Sequence, residues 1–176
     1  MFKVAILGPE STGKSALAEA LANHYNTAWA PEYAREYVEK LTVPYTFNDV
    51  CNIAHKQIEQ EKYYNNPSFD NKNFVFFDTE LIITKVWLEY KFNTVPHFIT
   101  ERIKEGYFDV YLLCAPDLAW IPDAVREHGT YREFFFNWYK KEIEDTGKPY
   151  YIIEGFGKER TENAINALTL TIENHE

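Results

Sequence analysis

The octapeptide Gly8-Pro9-Glu10-Ser11-Thr12-Gly13-Lys14-Ser15 constrains this chain most, because it fits the pattern G-x-x-x-x-G-K-[ST] at every fixed position. Glycines in such a loop let the backbone wrap around a phosphate with its N–H groups pointing inward, and the following helix presents its positive N-terminal end. Lys14 is expected to reach the β- and γ-phosphates of a nucleoside triphosphate, and the Ser15 hydroxyl to ligate Mg²⁺. The alternative is a glycine-rich strand-to-helix turn that binds no ligand. The pattern predicts an ATP site formed by Gly8, Glu10, Ser11, Thr12, Gly13, Lys14, Ser15 and Ala16.

Short apolar runs alternate with helical patterns along the chain, which is typical of a parallel sheet covered by helices on both faces. The runs predict strands at Phe2–Leu7, Thr27–Ala30, Phe74–Phe77, Val110–Cys114 and Tyr150–Ile153. Helices are predicted at Lys14–Tyr25, Tyr33–Leu41, Asp49–Tyr64, Glu80–Phe92, Tyr131–Thr146 and Glu159–Glu173. The fold class is therefore α/β, a three-layer P-loop NTPase fold of the nucleoside and nucleotide kinase type, with a sheet of about five strands. Residues 1–176 are expected to form one domain, in which the proline-rich segment 115–132, directly after a strand, is a candidate lid.

Composition narrows the range of partners. The chain has 176 residues, a formal net charge of −9 and no run of Lys or Arg. It therefore lacks the basic stripe that nucleic-acid binding requires. No stretch approaches the roughly 18 apolar residues of a membrane span, and the N-terminal apolar run is too short for a signal peptide. Cys51 and Cys114 do not have metal-site spacing. We expect a cytoplasmic protein whose ligands are small molecules.

Two acidic residues are placed where kinases use carboxylates. Asp78 ends an apolar run, and P-loop enzymes hold Mg²⁺ through such a residue, directly or through water. The alternative is that Asp78 only caps the helix beginning at Thr79. Glu32 follows the second strand, where a carboxylate can accept the proton of an attacking hydroxyl. Arg35 lies three residues further on the same helical face, so the alternative for this pair is a surface ion pair of little energetic value.

The candidate lid contains side chains that could act on the ligands. Arg126 and Arg132 are predicted to complete the ATP site and could stabilise the charge on a transferring phosphate; the alternative for each is an ordinary solvated side chain. Trp120 could cover a bound ring or could pin the loop itself.

These segments together resemble the NadR-type ribosylnicotinamide kinase family. The matching segments, in order over nearly the whole chain, are GPESTGKS, PEYAREYV, FFDTELIITKVW, DVYLLCAPDLAWIPDAVRE with the later Arg132, and YYIIEGFGKER. The resemblance implies ATP-dependent phosphorylation of the 5′-hydroxyl of nicotinamide riboside, giving nicotinamide mononucleotide for NAD salvage. It also implies that Glu32, Arg35 and Asp78 line the substrate side, with Arg126 and Arg132 on the lid. An adenylyltransferase or DNA-binding domain, which NadR proteins with several activities carry, is not expected within 176 residues.

Nicotinamide riboside carries a permanent pyridinium cation, which aromatic faces and carboxylates attract. For each aromatic ring the alternative is packing in the core. The hypothesis competes with a kinase for another nucleoside or small metabolite and with a regulatory nucleotide-binding module. A GTP-specific switch would carry N-K-x-D, which this sequence lacks. The predicted acceptor site comprises Trp29, Glu32, Tyr33, Arg35, Asp78, Trp87, Trp120 and Asp123; the predicted catalytic set comprises Lys14, Glu32, Asp78 and Arg126; the predicted Mg²⁺ ligands are Ser15 and Asp78.

Overall fold

A single parallel sheet organises the chain. The computed structural model describes residues 1–69, 72–122, 126–127 and 129–173. Within them the strands are β1 Phe2–Leu7, β2 Trp29–Ala30, β3 Phe74–Asp78, β4 Val110–Cys114 and β5 Tyr150–Ile153. All pairings are parallel, and the order across the sheet is β2-β3-β1-β4-β5. The predicted α/β class and five-stranded parallel sheet are confirmed.

Helices cover both faces of this sheet. They are α1 Lys14–His24, α2 Tyr33–Glu39, α3 Phe47–Tyr64, α4 Leu81–Phe92, α5 His97–Lys104, α6 Arg132–Thr146 and α7 Lys158–Glu173, with a 3-10 turn at Pro67–Phe69. On one face, Leu21 of α1 and Leu168 of α7 are buried against the strands. On the other face, Val86 of α4 and Ile143 of α6 fill the same role. Burying each such side chain contributes about 1.5–3 kcal/mol, which explains why the strands read as continuous apolar runs.

A third hydrophobic cluster joins α3, α4 and α5, and the sequence analysis predicted no helix in the place of α5. The cluster contains Ala54, Leu88 and Ile99, all fully buried. The helix α5 has eight residues, of which only Ile99 is fully buried. Such a short element shows too little periodicity to stand out in the sequence.

The start of α3 lies two residues earlier than predicted because of a capping box. The Thr46 side chain accepts a hydrogen bond from the Asp49 backbone N–H, and the Asp49 carboxylate accepts one from the Thr46 N–H. Both orphan donors at the helix start are thereby satisfied. None of the helices in the described part of the chain is long and apolar enough to cross a membrane.

The strand order determines where a ligand can enter. β1 lies between β3 and β4, so the chain leaves β1 towards one side of the sheet and later returns on the other side. In open parallel sheets a crevice forms outside the carboxyl ends of the strands at such a switch point. The carboxyl ends of β1, β3 and β4, at Leu7, Asp78 and Cys114, therefore border the expected site.

Candidate functional site

A cavity of about 680 Å³ opens at these strand ends. It is lined by the phosphate loop, by residues of α2, α4 and α6, and by the segment before α3. The segment between β4 and α6, residues 115–131, contributes Arg126 and Glu127. We call this segment the β4–α6 connection. The cavity thus joins the predicted ATP side to several predicted acceptor residues.

The phosphate loop has the backbone conformation that its two glycines allow. Gly8 has φ 152°, and a Cβ there would lie 2.8 Å from the Cys114 carbonyl oxygen. Gly13 is left-handed, with φ 75°, at the N-cap of α1. The Thr12 hydroxyl donates to the Pro9 carbonyl at 2.8 Å and stays buried. A larger residue at either glycine would displace the loop, so the loop follows directly from the sequence pattern.

Lys14 lies across the loop to which it belongs. Its ammonium group donates to the carbonyl oxygens of Gly8, at 2.9 Å, and of Pro9, at 3.0 Å. These are weak, partly solvated bonds that an entering phosphate can replace with a full charge interaction. All eight loop residues predicted for the ATP site line the cavity.

Asp78 is a buried carboxylate with unmet hydrogen-bonding capacity. It is 2% exposed, and neither carboxylate oxygen has a hydrogen-bond partner among the described residues. Burial, together with the nearby Glu32 carboxylate, raises the pKa of Asp78 to about 6, while Lys14 and Ser15 oppose the shift. The cap of α4 is Glu80, whose side chain accepts from the Ile82 N–H at 2.9 Å. Asp78 therefore does not serve as the cap of this helix.

Thr79 was missed by the sequence analysis although it follows Asp78 directly. It lines the cavity and has φ 73°, a left-handed conformation that is rare for a β-branched residue. Its hydroxyl is buried without a partner among the described residues. Strained residues of this kind cluster at functional sites. The sequence offered one signal for Thr79, namely that it directly follows Asp78, the acidic residue at the end of β3.

Glu32 and Arg35 both line the cavity and form an ion pair. The pair measures 3.5 Å, and Arg35 also lies 3.6 Å from Glu39. Glu32 is the N-cap residue of α2, so the helix start fixes its position. Glu32 and Arg35 therefore form the ion pair that was the alternative interpretation, but both residues of the pair line the cavity.

Three of the aromatic side chains that line the cavity form a group that we call the aromatic wall. It consists of Tyr45, Trp87 and Tyr90. Tyr45 and Trp87 pack edge to face at 4.8 Å, and the Trp87 indole N–H donates to the Tyr45 hydroxyl at 3.1 Å. Tyr45 and Tyr90 were not predicted. Tyr90 lies three residues after Trp87 on α4, which was the available signal, whereas Tyr45 lies in a loop with no such pattern.

Other predicted acceptor residues lie elsewhere. Trp29 packs against the hydrophobic core on the α1 side of the sheet, and Tyr33 packs against Tyr37 at 6.0 Å; neither lines the cavity. Trp120 donates to the Glu10 carboxylate at 3.4 Å and packs so closely that a Cβ on Gly129 would lie 2.7 Å from its ring. It therefore pins the β4–α6 connection, which was the alternative for this ring. Asp123 falls outside the described residues.

The two predicted arginines both line the cavity. Arg126 donates to the Ile121 carbonyl, and Arg132 donates to the Leu118 carbonyl at 2.8 Å. Glu127, which was not predicted, lines the cavity between them and the aromatic wall. Each arginine therefore has its guanidinium tied to the β4–α6 connection beside the phosphate loop.

Known proteins can now be compared with this geometry. A family model described as an AAA domain matches residues 3–160. The chain belongs to this family. The trifunctional NAD biosynthesis/regulator protein NadR of Salmonella typhimurium is 33% identical over 135 residues, which are 72% of this chain and 31% of NadR. The chain thus spans about a third of the length of this curated relative, and the resemblance to NadR proteins is confirmed.

Solved structures support the same fold. A crystal structure of NadR protein in complex with NR has a TM-score of 0.76 at 24% identity, and the match covers 97% of this chain and 51% of that one. A deoxyadenosine kinase from M. mycoides, with products dCMP and a flexible dCDP bound, has a TM-score of 0.58 at 16% identity and covers 96% of this chain and 100% of its own. The predicted P-loop kinase fold is confirmed.

Proposed function

We propose that this chain transfers the γ-phosphate of ATP to the 5′-hydroxyl of nicotinamide riboside, giving nicotinamide mononucleotide and ADP. The observation that carries the proposal is that one cavity holds the phosphate loop, the Glu32–Arg35 pair and an aromatic wall. A nucleoside triphosphate would bind at the phosphate loop, and an aromatic riboside would bind beside the aromatic wall. The match to NadR supports this choice of acceptor.

Three cationic side chains would interact with the phosphates of the nucleotide. Lys14 would exchange its two carbonyl partners for the β- and γ-phosphates. Arg126 and Arg132 line the same cavity and would stabilise the negative charge that spreads over the transferring group. All three donate to backbone carbonyl oxygens, which hold them near the site.

The residues at the end of β3 fit a Mg²⁺ ion. Asp78 has two carboxylate oxygens without a partner among the described residues, and the Ser15 side chain lies close enough to lower its pKa. Hydroxyl and carboxylate oxygens are ligands that Mg²⁺ accepts together with phosphate oxygens and water. Ser15 and Asp78 would hold the ion, which when bound neutralises phosphate charge. Below about pH 6, where Asp78 is protonated, loss of its proton would accompany binding of the ion.

Glu32 would receive the proton of the acceptor. The oxygen of the 5′-hydroxyl forms a bond to the γ-phosphorus while the bond from that phosphorus to the β–γ bridging oxygen breaks. ADP leaves with the electron pair, and the hydroxyl proton passes to the Glu32 carboxylate. Arg35, 3.5 Å from Glu32, would keep this carboxylate oriented.

The aromatic wall is the feature that would favour a cationic ring. Among the described residues that line the cavity, four are cationic and three are acidic: Lys14, Arg35, Arg126 and Arg132, against Glu10, Glu32 and Glu127. The overall charge of −9 is therefore not concentrated in the cavity. A pyridinium over an aromatic face gains roughly 0.5–2 kcal/mol, a preference of about two- to thirtyfold. Selectivity for the cation would come from Tyr45, Trp87 and Tyr90.

A coupled assay of ADP release across a nucleoside panel tests the proposal. We expect kcat/KM for nicotinamide riboside to exceed that for its reduced, uncharged dihydro form and for uridine and cytidine. The reduced form is the sharper comparison, because it keeps the ribose, the carboxamide and nearly the same size. Equal efficiency on the charged and uncharged ribosides would contradict the role of the aromatic wall. Activity on cytidine or adenosine and none on nicotinamide riboside would identify a kinase for another nucleoside.

A further inference from the structure

Hydrogen bonds connect the phosphate loop to the aromatic wall through one residue, Glu127. Its backbone N–H donates to the Glu10 carboxylate at 2.9 Å. Its own carboxylate accepts from the Tyr45 hydroxyl at 3.1 Å, and that hydroxyl accepts from the Trp87 indole N–H at 3.1 Å. Glu10, Glu127, Tyr45 and Trp87 all line the cavity. The path therefore crosses from the nucleotide side to the acceptor side in three bonds.

Further contacts hold this path at both ends. The Lys91 ammonium group lies 3.2 Å from the Glu127 carboxylate and 5.5 Å from the centre of the Tyr45 ring. At the other end, the Trp120 indole N–H donates to the second oxygen of Glu10 at 3.4 Å. Linked hydrogen bonds strengthen one another, so such a network contributes more than its separate pairs. A change at Glu10 would therefore affect the hydrogen bond between Glu127 and the Tyr45 hydroxyl.

The negative charge of a bound nucleotide would act on this path through two arginines. Arg126 precedes Glu127 in the chain, and Arg132 lies a few residues further; both line the cavity. A bound triphosphate would attract both guanidinium groups, and the contact with Arg126 would restrain the neighbouring Glu127. As a result, the contact of Glu127 with Tyr45 would become more ordered at the same time.

We propose that Glu127 is a positioning residue that couples the two halves of the cavity, so that bound nucleotide strengthens acceptor binding. This inference rests on the proposed function for the identity of the acceptor. Ordering the aromatic wall once, when the nucleotide binds, lowers the entropic cost for the acceptor that binds next. By linkage the acceptor strengthens nucleotide binding by the same factor.

Calorimetric titration tests the coupling at equilibrium, without turnover. The Kd of nicotinamide riboside is measured with and without saturating AMP-PNP and Mg²⁺. For the parent chain we expect the nucleotide to lower this Kd about fivefold or more. Tyr45→Phe removes the hydroxyl and keeps the ring, so the ratio of the two Kd values, with and without nucleotide, should fall to about one whatever the Kd without nucleotide. Glu127→Ala should abolish the effect in the same way.

A matched control removes a similar hydroxyl elsewhere. The Tyr37 hydroxyl donates to Asp49 at 2.8 Å, and Tyr37 does not line the cavity. Tyr37→Phe should keep the coupling of the parent chain. A Tyr45→Phe variant that also keeps it would overturn the inference, as would a parent chain in which nucleotide leaves the Kd of the riboside unchanged.

Hydrogen exchange separates this inference from the proposed function, because it needs no acceptor. AMP-PNP with Mg²⁺ should slow amide exchange in α4, which carries Trp87 and Lys91, in the parent chain but not in Tyr45→Phe. If nicotinamide riboside binds under neither condition while this protection is present, the proposed acceptor is wrong and the coupling stands. If α4 shows no protection in the parent chain, or equal protection in Tyr45→Phe, the coupling is wrong.

Discussion

The Lys14 ammonium group donates to the carbonyl oxygen of Gly8 at 2.9 Å, so the side chain lies folded over its own loop. Its removal costs two partly solvated hydrogen bonds, about 1 kcal/mol in total, and the charge that would meet the phosphates. For Lys14→Ala we expect kcat to fall by roughly 10²–10³-fold or more, while the melting temperature falls by about 2–4 °C. Steady-state kinetics and thermal unfolding measure the two effects.

An exposed lysine supplies the control for this variant. Lys40 pairs with Glu36 on the surface of α2 and does not line the cavity. Lys40→Ala should leave kcat within about twofold of the parent value, since exposed pairs contribute little. Near-normal turnover by Lys14→Ala would contradict the kinase proposal.

Glu32 and Glu39 offer a matched comparison, because Arg35 contacts both carboxylates. Only Glu32 lines the cavity, whereas Glu39 is exposed. Glu32→Gln should lower kcat by roughly 10²–10⁴-fold with little change in the KM for ATP, as expected for loss of a general base. Glu39→Gln should leave kcat near the parent value. Equal losses in both variants would show that orientation of Arg35 matters and that proton transfer to Glu32 does not.

The parts that the sequence predicts well are those encoded locally. The phosphate loop is contiguous, and its two glycines have the positive φ values that the turn requires, so Gly8–Ser15 could be identified without tertiary information. Asp78 could be found because it ends an apolar strand. Strands β3 and β4 are clear in the sequence because every residue in them is buried, whereas α5 has one fully buried residue and was not predicted.

The acceptor side depends on residues that tertiary packing brings together. Tyr45, Tyr90 and Glu127 come from three separate parts of the chain and meet only after α3, α4 and the β4–α6 connection have packed. Tyr90 has one local signal, its helical spacing from Trp87, but no local pattern distinguishes Tyr45 or Glu127 from ordinary surface residues. For the same reason, the sequence does not show whether an aromatic side chain lines the site or packs in the core. Trp29 was predicted at the acceptor site but packs against the core.

Asp78 should make the stability of the chain depend on pH. Its pKa is raised from 3.8 to about 6 by burial, so between about pH 4 and 6 the native state holds a proton that the unfolded chain has lost. Stability therefore falls as pH rises through this window, by about 3 kcal/mol in total. Asp78→Asn removes this cost and should be more stable than the parent chain above pH 6, but equally stable near pH 4. Urea unfolding at both values measures the difference.

The same variant separates stability from ligand binding. Asp78→Asn should require a higher Mg²⁺ concentration for half-maximal activity, because an amide is a weaker ligand for a hard cation than a carboxylate. An unchanged Mg²⁺ requirement together with increased stability would show that the buried charge is costly but does not hold the ion.

Glu80 should extend this pH dependence to higher pH than Asp78 can. It is 3% exposed and caps α4 through the Ile82 N–H. Burial raises its pKa to about 8, and the carboxylates of Glu61 and Glu142 add to the shift. From about pH 6 to 8 Asp78 is already ionised, whereas Glu80 still holds its proton in the native state. Between these two residues, only Glu80 therefore lowers the free energy of unfolding as pH rises, by about 1.4 kcal/mol per pH unit. Glu80→Gln keeps an oxygen for the cap and cannot ionise. Urea unfolding of this variant should show a free energy of unfolding that does not change with pH in this window and that exceeds the parent value by about 3 kcal/mol at pH 7.

Glu162 is exposed on α7 and supplies the control, because Glu162→Gln should retain the slope of the parent chain. A Glu80→Gln profile as steep as that of the parent would show that the Glu80 carboxyl is already ionised in the native state below pH 6.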